Sequence, residues 1–189
     1  MVKALVFDYF GVICSDEYWR FVKEDKNMQG VFHNLSNAVN VGSLHWHDFI
    51  NKVAQKTGAD PASIQNLYET ESINLHLISY IDELHKTYKT ALLTNGHFEF
   101  LEPRLEATQL NSIFDTVIIS SRLGLVKPDP KIYEHTLKTL GVEAREAVLI
   151  DDISRNVSGA ETIGMHAILY QDFSQLQQEL STLLANTNH

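Results

Sequence analysis

Cysteine is almost missing: Cys14 is the only one in 189 residues, which excludes an internal disulfide framework. No Cys/His cluster has zinc-like spacing, and His33, His45, His47, His76 and His135 form no recognisable metal set. Long apolar runs are lacking too. The longest hold four or five residues, and Asp8 interrupts the N-terminal one with no small-residue cleavage site behind it. A membrane-spanning helix is therefore excluded and a signal peptide is not expected, so a reducing, cytoplasmic setting is. Positive charge is scarce. Fifteen Lys and Arg stand against 24 Asp and Glu, a formal net charge of -9, and no basic block interrupts the balance. That argues against a nucleic-acid surface. An acidic chain that handles an anionic ligand must supply positive charge locally, from a bound cation or a few placed lysines. Internal repeats and low-complexity segments are absent as well.

What is present suffices for one well-packed core with an insertion. Short apolar runs rich in β-branched residues recur at Ala4 to Phe7, Ala91 to Leu93, Val117 to Ile119, Val148 to Ile150 and Ala167 to Leu169. Helix-length segments separate the last four, which predicts βαβ units and a parallel sheet covered on both faces. One helix is well marked, with Asp129 as N-cap, Pro130 in first position, Tyr133, Leu137 and Leu140 on one face and Gly141 as the stop. Others are expected from about Ser154 to Ile163, closed by Gly164, and from Phe173 to Leu184. Between Cys14 and about Leu84 the strand pattern gives way to helical spacing. Ser15 is expected to cap Tyr18, Trp19 and Val22, and Ser43 to open a stretch with Trp46, Phe49, Ile50 and Val53; Gly58, Asp60 and Pro61 punctuate it. The expected fold is α/β, a Rossmann-like parallel sheet over residues 1–13 and 85–189 with a small helical insertion, residues 14–84, after the first strand.

The strand tips carry the chemistry. In LVFDYFGVIC, residues 5–14, a buried strand ends on a lone carboxylate, Asp8. Thr94 and Asn95 follow the second run, Ser120 and Ser121 the third, Asp151 and Asp152 the fourth. Beyond the carboxyl ends of parallel strands such groups share one crevice, where ligands bind in open α/β sheets. Each alone is an ordinary turn residue; the set points to a site.

This arrangement resembles the haloacid-dehalogenase-like (HAD) hydrolase superfamily, mostly phosphate-transferring enzymes. The resemblance is carried by Asp8 with Gly11-Val12, by LLTNG (Leu92 to Gly96), by GLVKPDPKIY (Gly124 to Tyr133) and by VLIDDISRNVSGAETIGM (Val148 to Met165). The insertion is similar to the cap of many members. The resemblance implies Asp8 as nucleophile on phosphorus, forming an aspartyl-phosphate. It implies Thr94 as a hydroxyl donor to a phosphoryl oxygen, assisted by backbone N–H groups near Asn95 and Gly96, and Lys127 as neutraliser of developing charge. Mg2+ would be held by Asp8, the Phe10 backbone carbonyl, Asp151 and, at longer range, Asp152. Small as it is, that set is sufficient in kind for phosphoryl transfer, which rests on positioning and electrostatics.

Charge counting supports the metal independently, since three carboxylates face one motif lysine and crowded like charges otherwise take up a proton. Magnesium prefers oxygen ligands and bridges carboxylates to phosphate. Gly124 and Pro128 give Lys127 a tight, extended path toward the crevice. Phe10 departs from the family, most of whose phosphatases carry a second aspartate there to protonate the leaving oxygen. Losing acid-base help costs roughly 10²- to 10⁴-fold for ordinary leaving groups. The expected activity is therefore a phosphomonoesterase for a small phosphorylated metabolite with an activated leaving group: a sugar 1-phosphate, acyl phosphate or aryl phosphate. A non-catalytic phosphometabolite-binding or interaction module of the same fold is the alternative. A 2-haloacid dehalogenase, lacking the second aspartate too, fits the paired acids less well. His97 is read as an exposed loop residue, though it stands where a substitute acid would be placed. Tyr18, Trp19, Phe21, Trp46 and Phe49 are expected to pack the inserted helices rather than line a pocket. The oligomeric state is open.

Overall fold

The structure, a computed structural model, describes residues 1–15, 22, 29–70 and 72–187. Tyr18, Trp19 and Phe21 lie outside the described residues. Five parallel strands form the sheet in the order β3-β2-β1-β4-β5: β1 (Ala4–Phe7), β2 (Lys89–Thr94), β3 (Thr116–Ile119), β4 (Ala147–Asp151) and β5 (His166–Leu169). The α/β class with a parallel sheet is as the sequence implies. Strands β1, β2 and β4 are apolar on both faces because helices cover both. Leu5, Phe7, Leu92, Val148 and Ile150 face one core, and Ala4, Val6, Ala91, Leu93, Ala147 and Leu149 face the other.

Helices α1 (Gln29–Asn40), α2 (Trp46–Thr57), α3 (Pro61–Glu69) and α4 (Leu75–His85) follow β1. Gly58 ends α2 in the left-handed region, Asp60 accepts from the Ser63 N–H, and Pro61 opens α3, the expected punctuation in physical form. Ser43, however, does not open α2. Its hydroxyl donates to the Ala38 carbonyl, and His45 holds the N-cap position. The helix end is served from another element: Glu99 accepts from the Trp46 N–H at 3.0 Å, a carboxylate at the positive end of a helix. Helix α4 lies against β2, with Leu77 and Ile81 fully buried.

Helix α5 (Phe98–Ala107) links β2 to β3 by way of a 3₁₀ turn, Leu110–Ile113, and α6 (Ser120–Leu123) is a single turn after β3. Helix α7 (Pro130–Leu140) has Asp129 accepting from the Lys131 N–H and Gly141 at φ 66°, as expected. Helices α8 (Ser154–Thr162) and α9 (Phe173–Thr187) complete the chain. Among the described residues no helix is long and apolar enough to cross a membrane.

Candidate active site

Register brings the first two acids together. Phe7 pairs with Ile150, so the next residues, Asp8 and Asp151, stand side by side at the tips of neighbouring strands, which run about 4.8 Å apart. Both continue the face of Val6 and Leu149. Asp8 is 5% exposed and Asp151 fully buried. Beyond Asp8 the chain turns back on itself, the Tyr9 carbonyl accepting from the Ile13 and Cys14 N–H groups. Gly11, at φ 79°, leaves room for Asp152. A Cβ at position 11 would lie 2.3 Å from the Asp152 Oδ2, so a side chain there would displace that carboxylate and strain a backbone that favours glycine.

Lys127 closes the cluster. It is 2% exposed, and its Nζ lies 2.8 Å from Asp8 Oδ2 and 2.6 Å from Asp151 Oδ2. Two contacts hold its loop. The Asn95 side chain donates from Nδ2 to the Lys127 carbonyl at 3.0 Å and accepts the Lys127 N–H on Oδ1 at 2.8 Å. From below, α8 approaches the loop closely: a Cβ on Gly159 would come within 2.7 Å of Pro128 Cβ.

The two neighbouring carboxyls titrate in opposite directions. Burial pushes Asp8 well above the ordinary carboxylate pKa; Lys127 opposes this, while the charges of Asp151 and Asp152 add to it. Burial works against Asp151 too, but Lys127, the Ile153 N–H and the Asn156 amide hold it low. Hydrogen bonds account for the difference. Asp151 accepts from Lys127 at 2.6 Å, Ile153 at 2.9 Å and Asn156 at 3.0 and 3.2 Å. Asp8 accepts from the Tyr9 N–H at 2.7 Å and from Lys127. Lys127 is raised despite its burial, by the two acids.

One oxygen from each of Asp8, Asp151 and Asp152 lies within 4.8 Å of the others. An all-oxygen set of three acids facing one lysine suits a hard divalent cation. Thr94 is fully buried at the tip of β2, and its Oγ1 has no hydrogen-bond partner among the described residues. Such an orphaned hydroxyl costs stability unless a ligand completes it. Gly96 also joins the strand tips to the inserted helices. Its N–H donates to Ser120 Oγ at 3.0 Å, and Ser120 in turn donates to the Asn40 carbonyl at 2.7 Å, so that amide and Ser120 stitch α1 to the strand tips.

Beside the cluster, Phe10, Asn95, Gly96, His97 and Phe100 meet Ser36, Val39, Asn40, Trp46, Phe49 and Tyr68 of the inserted helices around a small cleft. Trp46 and Phe49 thus both pack, with ring centroids 5.3 Å apart, and line a pocket. His97 is 2% exposed, not an open loop residue. It precedes α5, and its ring accepts the Glu99 N–H, which draws the side chain inward.

Asn156 and Glu99 escaped the sequence reading. Asn156 had a signal, since it shares the inward face of α8 with Ala160, one turn on, directly after the paired acids. Glu99 had none, because its partners His45 and Trp46 lie more than fifty residues earlier.

The chain matches the model of the haloacid dehalogenase-like hydrolases over residues 2–164 and belongs to that family. Phosphatases are among its relatives. It is 26% identical over 208 residues to the D-ribitol-5-phosphate phosphatase of Bacteroides thetaiotaomicron, across 97% of this chain and 99% of that one. It is 35% identical over 99 residues to bifunctional epoxide hydrolase 2 of Sus scrofa, a match taking in 50% of this chain but only 18% of that protein's length. A HAD-like family hydrolase from Porphyromonas gingivalis shares the fold with a TM-score of 0.78 at 24% identity, covering 97% of this chain and 98% of that one. A HAD family enzyme from B. thetaiotaomicron, crystallised with magnesium and inorganic phosphate, shares it with a TM-score of 0.74 at 17% identity over 93% and 99%.

Proposed function

We propose that the protein is a magnesium-dependent phosphomonoesterase that acts through an aspartyl-phosphate on Asp8 and favours small metabolites with activated leaving groups. The observation that carries this reading is the convergence of Asp8, Asp151 and Asp152 within 4.8 Å, the first two bridged by Lys127. Relatives named as phosphatases of small phosphorylated polyols and sugars support it.

Asp8 Oδ attacks phosphorus, the ester oxygen leaves, and water then releases phosphate from the acyl-phosphate, regenerating the carboxylate. The substrate thus gains one water across its P–O bond. Lys127 places a fixed positive charge where the phosphoryl oxygens gather, and the Thr94 hydroxyl donates to one of them. Asn95 positions Lys127 through its backbone. Mg2+, held by Asp8, Asp151, Asp152 and the Phe10 carbonyl, would supply the charge that keeps Asp8 ionised and offsets that of the phosphate. The helices within residues 14–84 serve as a cap over a core of residues 1–13 and 85–189. Phe10 has no proton to give, so a leaving group that departs without one is preferred.

Incubation with Mg2+ and an aryl phosphate tests the reading. Turnover that requires the metal and falls by at least ~10³-fold in Asp8→Asn is expected. Turnover that survives in Asp8→Asn, or none in the wild type, moves the assignment to a phosphometabolite-binding module of the same fold.

A further inference from the structure

Asp8 and Tyr9 leave β1 on opposite sides, as successive residues of a strand do. Asp8 joins the acids, whereas Tyr9 is fully buried in the core of Leu5, Phe7 and Phe100. The Tyr9 backbone serves the acid side all the same. Its N–H donates to Asp8 Oδ1 at 2.7 Å, and its carbonyl closes the following turn by accepting from Ile13 and Cys14 at 2.9 and 3.0 Å. The far end of the ring is fixed as well, since Tyr9 Oη accepts from Arg104 Nε at 2.9 Å. Arg104 is half-buried on the last turn of α5. Its guanidinium carbon stands 5.9 Å from the centre of the Phe100 ring, and one Nη donates at 3.5 Å to the Glu69 carbonyl. That carbonyl lies at the end of the inserted helix α3, where a cation is favoured.

We propose that Arg104 is a positioning residue for Asp8, acting through Tyr9: it fixes the tyrosine ring, and with it the peptide N–H that holds the carboxylate in one orientation. This deepens the phosphatase reading and rests on it for the role of Asp8. The Asp8 carboxylate is then held at both oxygens, Oδ2 by Lys127 at 2.8 Å and Oδ1 by a backbone anchored from the opposite side of the sheet. An Asp8-to-Tyr9 contact spans a single peptide, so it lasts only while that peptide is kept from rotating. Packing alone does not call for this pair. A phenylalanine would fill the same apolar core, whereas a buried phenol must find a partner and a guanidinium brought to it must give up water. What the pair adds over phenylalanine is a fixed ring, tied to a helix of the core and to one of the insertion.

Two readouts on the full chain test this, in wild type, Arg104→Met, Tyr9→Phe and the double variant. Arg104→Met removes the donor and keeps an apolar stem; Tyr9→Phe removes the acceptor and keeps the ring, so it carries the test if Arg104→Met does not fold. The first readout is the backbone amide signal of residue 9 by NMR, taken without metal or substrate. An N–H bonded to a carboxylate lies downfield, and in each variant it should move upfield as that bond loosens. The second is aryl phosphate turnover with Mg2+. Each single variant should lower kcat about tenfold with KM little changed, because a misplaced nucleophile slows the chemical step and leaves binding alone. The double variant should fall no further than either single one, since both changes break one link. An unmoved amide, a moved amide with an unchanged kcat in an active enzyme, a loss confined to KM, or additive losses overturns the proposal. A moved amide with no turnover in wild type leaves the hold on Asp8 standing and removes the phosphatase reading. Wild-type turnover with amide and kcat unchanged in the variants does the reverse.

Discussion

On one side of Phe10 lie three acids and a lysine, drawn together by strand register and held by short, charge-assisted hydrogen bonds. On the other lies a cleft lined by five aromatic rings together with Ser36, Asn40, Asn95 and His97. The first region is nearly complete in itself, since every charge has a partner of opposite sign within hydrogen-bond reach or within a possible cation's shell. The second is less complete, since the Ser36 hydroxyl has no hydrogen-bond partner among the described residues. On the phosphatase proposal, the charge that must act on any phosphate ester is built into the β-strand tips, while selection among esters would fall to helices and loops whose contacts are individually weak. Phe10 stands at the border. Its ring meets Tyr9 edge-on at 5.0 Å and faces the cavity, so the position lost to acid catalysis is gained by the apolar wall.

Breaking the charged region should have the largest effect. Lys127→Met leaves Asp8 and Asp151 buried without their shared cation, and removing one partner of such a cluster costs about 3–5 kcal/mol. Turnover should fall by about 10³-fold or more. Added Mg2+ should restore part of the stability, measured by urea unfolding, because it replaces the missing charge. A variant as stable as the wild type with or without Mg2+ would mean that the lysine is not buried between the acids.

Converting the border residue should move chemistry from one region into the other. Phe10→Asp places a proton donor beside the leaving oxygen and should raise turnover of an alkyl phosphate by at least about 10²-fold, with a much smaller gain for an aryl phosphate. Equal change on both esters would show that leaving-group protonation is not what the wild type lacks. Asn95→Ala tests the join between the regions more gently. It deletes two hydrogen bonds to the Lys127 backbone, worth about 1–3 kcal/mol of stability where buried groups are left unpaired. A displaced lysine should appear as a kcat about tenfold lower with KM little changed. A KM effect alone would place Asn95 on the substrate instead.

The same division governs what can be read from the sequence. Asp8, Lys127 and the Asp151-Asp152 pair sit at the ends of short β-branched runs, and parallel pairing converts that one-dimensional pattern directly into a shared crevice. Asp129-Pro130 and Gly141 mark α7 because capping is local. The cavity offers no such pattern. Ser36 is an unremarked serine in mid-helix, and nothing within a turn of it says that its hydroxyl is unpaired. His97 looks like a loop residue until α5 and the inserted helices close over it. Ser43 was the plausible cap for α2, yet the acid at that helix end comes from Glu99, and Ser120 reaches Asn40 across 80 residues. Contacts made only by tertiary folding leave no periodicity behind.

The smallest expected effect concerns how the inserted helices are tied to the sheet. His45 Nδ1 lies 3.0 Å from Glu99 Oε1, and Glu99 also accepts from Trp46. The hydrogen bond and charge of Glu99 raise the His45 pKa above 6.5, and the His45 hydrogen bond, with the Trp46 N–H, lowers that of Glu99 below 4.5. A raised histidine contributes fully below its unfolded pKa and loses that contribution as pH rises through the folded value. A depressed glutamate contributes above its unfolded pKa and loses it as pH falls through the folded one. The pair is therefore strongest between the two and weakens on going from mildly acidic to alkaline solution, while the Trp46 contact persists. Both side chains are solvent-accessible, so the effect is modest and screened by salt. Thermal melts from pH 6 to pH 9 at low salt should show a small decline in wild type that flattens in His45→Gln. A decline of the same size in both proteins would assign it to another group.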